Sequence, residues 1–62
     1  MSIFIVEHEY EGRPLFETIR GVEDINLDDM FDKVITMWVC DNEEEVDSVE
    51  NELRKKHARR SE

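Results

Sequence analysis

The sequence predicts a small single α+β domain: an antiparallel sheet in ββαβα order, with helices packed on one face and a C-terminal amphipathic helix. Three observations lead there. Residues 2–10 divide at period two into two strand faces, a turn signal follows at once, and the C-terminal third carries a helix cap ahead of a spaced apolar stripe.

The first strand places Phe4, Val6, His8 and Tyr10 on one face and Ile3, Ile5, Glu7 and Glu9 on the other. Its Ile, Phe, Val and Tyr all favour extended chain. Glu11-Gly12-Arg13-Pro14 reads as the reversal, with Gly free to take positive φ and Pro holding φ near its turn value. Residues 15–20 form the second strand of a hairpin, which Gly21 closes or bulges. Asn26 is placed to cap a short helix over about 27–33, with Asp28 and Asp29 at its positive end. Leu27, Met30, Phe31 and Val34 share one helical face, and Trp38 continues it. Residues 34–40 are therefore open to two readings. Their β-branched and aromatic content favours a strand over a longer helix.

The last element is a helix. Asn42 and Glu45 make a capping box, and Val46, Val49 and Leu53 form a narrow apolar stripe. Glu50–Arg54 and Glu52–Lys56 are i,i+4 pairs in the favourable order, and the basic end complements the helix dipole. Residues 55–62 are expected to fray as a basic tail of this single domain.

A chain of 62 residues buries a thin core. One cysteine excludes an internal disulfide, and one Cys with two distant His falls short of a zinc site. No cofactor or metal is expected; Asp28, Asp29 and Asp32 lack the spacing and the turn glycine of a calcium loop. Self-association into a homodimer, or docking on a partner, is the open route to extra stability. The opening apolar run is too short for a leader, no stretch approaches a membrane span, and the chain reads as soluble and cytoplasmic.

Charge is the outstanding property. The net charge is −9. Residues 1–53 carry 16 acidic and 3 basic side chains, whereas residues 54–62 carry 5 basic and 1 acidic. Such a body repels nucleic acid and anionic membranes and attracts basic protein surfaces. Three clusters stand out. Glu7, Glu9 and Glu11 project from one strand face at about 6.6 Å intervals, near the spacing of phosphates along a nucleic-acid strand. Asp28, Asp29 and Asp32 form the second. The third lies in DNEEEVDSVENE, residues 41–52, with seven carboxylates and no base. Within it Glu45 caps the helix and Glu50 has Arg54, while Glu43, Glu44 and Asp47 lack a local role.

An acidic helix face is ordinary by itself, since glutamates in a first turn stabilise the dipole by about 0.3–1 kcal/mol each. Repetition over several elements costs a small domain stability through self-repulsion, and a selected benefit explains its retention. Composition and charge layout resemble those of the small acidic proteins that imitate nucleic acid, many of them bacteriophage products that disable host factors. No motif carries that resemblance.

The expected function is a binding protein and not an enzyme: an inhibitor that fills the nucleic-acid groove of a basic DNA- or RNA-binding protein, such as a nucleoid-associated protein, a nuclease or a polymerase. Its expected contact residues are Glu7, Glu9, Glu11, Asp28, Asp29, Asp32, Glu43, Glu44, Glu45, Asp47 and Glu50. The alternative is a small structural or regulatory interaction module whose charge serves only solubility. Met30, Met37 and Trp38 read as core, or as an apolar anchor if exposed. His8 reads as a core-edge histidine and Cys40 as a buried small hydrophobe.

Overall fold

The computed structural model describes residues 2–60, with side chains through residue 57. Strand β1 spans Ile3–Tyr10, β2 Arg13–Ile19, helix α1 Leu27–Met30, β3 Lys33–Cys40 and helix α2 Glu43–Arg60. The three strands form one antiparallel sheet in the order β2-β1-β3.

The hairpin is tight. Tyr10 pairs with Arg13, leaving Glu11 and Gly12 as a two-residue loop, both at positive φ (53° and 76°). That pattern matches the right-handed twist of the strands it joins. Pro14 was expected in the turn but lies inside β2, opposite Glu9. It is tolerated because β2 is an edge strand, where a missing N–H can face outward.

Residues 33–40 are a strand, as their β-branched content implies, and α1 stops at Met30. Asn26 occupies its N-cap position without capping through its side chain. The Asn26 amide instead donates to Asp29 (2.9 Å), and its carbonyl accepts from the Asp29 and Met30 N–H groups.

The C-terminal helix starts as its sequence dictates. The Glu45 N–H donates to the Asn42 side chain (2.9 Å), and the Glu45 carboxylate accepts from the Asp41 N–H (3.2 Å). Asn42→Ala is expected to cost about 1 kcal/mol, read as a lower urea midpoint at unchanged m-value. Residues 55–57, expected to fray, continue the helix, which runs to Arg60.

The helix covers one face of the sheet. Ile5, Cys40, Val46 and Leu53 form the buried cluster, with Ile3, Phe16, Trp38 and Val49 packed against it. Burial, followed by the nearby Glu45 and Asp41 charges, raises the Cys40 pKa and makes it an inert space-filler. The opposite face is also closed over its middle: Phe4, Val6 and His8 are buried, and the Phe31 ring packs at a tilt against that of His8, 4.4 Å between centroids. The segment after β2 leads from one sheet edge to the other and brings Phe31 onto this second face. Helices on a single face were expected; α2 covers one face, and the chain that follows α1 meets the other.

Candidate functional site: the acidic surface and one buried carboxylate

Both faces of β1 are covered, by α2 on the Ile5 side and by Phe31 against His8 on the other. This overturns the expected outward row of Glu7, Glu9 and Glu11. Glu7 follows Ile3 and Ile5 on the α2 side and has no solvent exposure. Its carboxylate meets Lys56 Nζ at 2.9 Å and His57 Nε2 at 3.0 Å, both reaching down from the last turns of α2. Burial works to raise the Glu7 pKa. Hydrogen bonds from Lys56 and His57, together with their charges, outweigh that effect and hold it below the usual carboxylate value. Phe16 packs edge-on against the His57 ring at 5.7 Å. Lys56 was expected to pair with Glu52. It serves Glu7 instead, and Glu52 approaches Lys55 at 4.0 Å.

The remaining members of that row separate. Glu9 lies 3.7 Å from Lys33 across the β1–β3 pair, and Glu11 stands exposed in the hairpin loop. His8 sits at the core edge on the other face, with Nε2 2.8 Å from the Glu17 carboxylate.

The run at 41–52 is divided by tertiary contacts. Glu43, without a partner along its own helix, receives a two-pronged contact from Arg20: Nε at 2.9 Å and Nη2 at 2.7 Å. The Arg20 hydrogen bond lowers the Glu43 pKa, and the contact ties the start of α2 to the end of β2. Glu45 serves the cap. Glu50 accepts from the Thr18 hydroxyl and from Arg54 (3.3 Å). Glu44 and Asp47 remain exposed, and no ion pair holds them among the described residues. Asp28, Asp29 and Asp32 are likewise exposed, with only the Asn26 amide on Asp29.

Exposed acids are densest at residues 28–32 before β3 and 41–47 after it, and Glu11, Glu23, Asp24 and Glu52 add to them. Sequence reasoning missed Arg20, Lys56 and His57 as the groups that neutralise Glu43 and Glu7. It also missed the outer side of β3, where Ile35, Met37 and Val39 are 42%, 37% and 54% exposed. Their period-two spacing was the available signal. Of the three candidate anchor residues, Trp38 joins the core while Met30 and Met37 are exposed.

A shallow groove of about 360 Å³ between β3 and α2 is walled by Trp38, Thr36, Val49 and the Glu7–Lys56 pair. Among the described residues, no three His, Cys, Asp or Glu side chains are grouped to hold a metal ion. No described helix is long and apolar enough to cross a membrane. The chain matches no protein-family model, no curated protein and no solved structure.

Proposed function

We propose that this chain is an acidic binding protein that engages a basic, cytoplasmic DNA- or RNA-binding protein and occupies its nucleic-acid groove. The observation that carries this reading is the number of exposed carboxylates outside any ion pair among the described residues, Glu11, Asp28, Asp29, Asp32, Glu44 and Asp47 among them. Carboxylates held apart on a rigid frame present negative oxygens to Lys and Arg much as phosphates do. Glu7 takes no part, being buried. Glu43, Glu45 and Glu50 contribute field more than contact, since each carboxylate already accepts a hydrogen bond.

The test is competition. A basic protein captured from lysate at low salt is loaded with fluorescent DNA, and this chain is titrated in. DNA release is expected, with apparent affinity falling at least tenfold between about 50 and 200 mM salt. The variant carrying Asp28→Asn, Asp32→Asn, Glu44→Gln and Asp47→Asn is expected to release DNA poorly while keeping its fold. A ternary complex of partner, DNA and this chain would reject the reading.

The exposure of Met37 and Val39 favours a second reading, a small interaction module recognised through apolar contacts while charge maintains solubility. Unchanged partner affinity in the four-site variant would select it.

A further inference from the structure

The two edges of the sheet are built differently. On β2, Arg13, Pro14 and Glu17 interrupt the outer edge with charge and a missing N–H, which are common protections against unwanted pairing. On β3, residues 34–40 (Val-Ile-Thr-Met-Trp-Val-Cys) hold no charge and no proline. Lys33 is the strand's one charge and is turned toward Glu9. Met37 and Val39 lie opposite the buried Val6 and Phe4, so they extend an apolar surface to the open edge. Acid stands at both ends: Asp28, Asp29 and Asp32 before the strand, Asp41 and Glu44 after it.

We propose that the β3 edge receives an extended segment of a partner protein by strand addition, and that this segment alternates apolar residues and ends in Lys or Arg on both sides. Main-chain hydrogen bonds to β3 supply affinity, Met37 and Val39 receive the alternate side chains, and the flanking acids select the basic ends. A β-bulge between the partners of Glu7 and His8 places Ile35 as an extra residue and bends the strand there. The added strand therefore pairs along Thr36–Cys40. Charge argues against a second copy of this chain in that place. Antiparallel self-pairing sets residues 28–32 of one copy beside 41–44 of the other at both ends, and parallel self-pairing sets each cluster beside itself. Both arrangements bring like charges together in a molecule of net charge −9. The inference concerns the β3 edge alone and does not depend on whether a nucleic-acid groove is filled.

A nine-residue peptide with arginine at each end and valine alternating with threonine between them is the probe. It is titrated into the isotope-labelled protein while amide shifts and hydrogen exchange are followed. Protection of the edge-facing amides within Thr36–Cys40, those of alternate residues, is expected to rise at least tenfold. Glutamate in place of both arginines should weaken binding at least tenfold, and a central proline should abolish it. Val39→Lys in the protein should weaken the peptide at least tenfold. Met37→Thr provides the same comparison should the lysine variant fail to fold. The proposal is overturned by equal affinity for the acid-ended peptide, by protection appearing on α2 and not on β3, or by no binding at millimolar peptide. Concentration-dependent dimerisation with β3 protected in the absence of peptide would overturn it too, in favour of a second copy.

Discussion

Glu7→Ala is expected to destabilise the protein by about 1–3 kcal/mol at pH 7, the cost of leaving buried polar groups without their partner. The lower part of that range applies to Lys56, whose side chain is half exposed and can turn to water. His57 is 17% exposed and has less freedom to do so. A domain of this length has total stability on the order of 3–9 kcal/mol, so the variant loses a substantial fraction. Glu7→Met, which fills the site without a charge, is expected to cost less than Glu7→Ala. The order of urea midpoints, wild type above Met above Ala, checks the argument; equal midpoints for all three would contradict it.

The same carboxylate gives the protein its acid sensitivity. Folding lowers the Glu7 pKa from an ordinary value of 4.5, so the unfolded chain takes up the proton more readily. The stability Glu7 contributes is complete above about pH 4.5 and is lost as the pH falls through the lower folded-state value. Stability is therefore expected to fall on acidification as Glu7 titrates. Glu7→Gln should flatten that fall. An unaltered acid limb in that variant would remove Glu7 from the explanation.

Leu53→Ala is the other large effect. Leu53 is 3% exposed and closes the core cluster with Ile5, Cys40 and Val46. Cutting a buried leucine to alanine costs about 2–5 kcal/mol, depending on how far the site collapses. With one thin core and no disulfide, that loss approaches the whole stability. The expected result is a melting temperature lower by more than about 10 °C, or a chain largely unfolded at 25 °C by circular dichroism. Met30→Ala, at a side chain 50% exposed, is expected to change stability by less than about 0.5 kcal/mol. Similar effects at the two positions would mean that the core lies elsewhere.

Local chemistry was legible at most places where it acts over a few residues, the Asn26 cap and the Glu52–Lys56 pair being the exceptions. The Ile3–Tyr10 strand, the β-branched run before Cys40, the Asn42 cap and the Glu50–Arg54 pair all appear as read, while Glu45 reaches back to the Asp41 N–H and not to that of Asn42. Reading failed where period two had to say which face is wet. Alternation separates two faces of a strand but does not reveal that both are covered, and β1 has α2 over one face and Phe31 against the other. Glu7 looked like the outer member of an acidic row and is a buried ion-pair partner. The contact that makes it so spans 49 residues, from Glu7 to Lys56. It forms because the 18-residue α2, at about 1.5 Å per residue, is long enough to carry its basic end along β1 to Glu7.

The sequence by itself determined the elements, the helix cap and the sign of the surface, because propensity, capping and net charge depend on residues close together or on none in particular. Only the tertiary structure decided which carboxylates are held and which are free. Arg20, Thr18, Lys56 and His57 reach their acids across the fold, and such meetings are set by the packing of whole elements, which no short window of sequence contains.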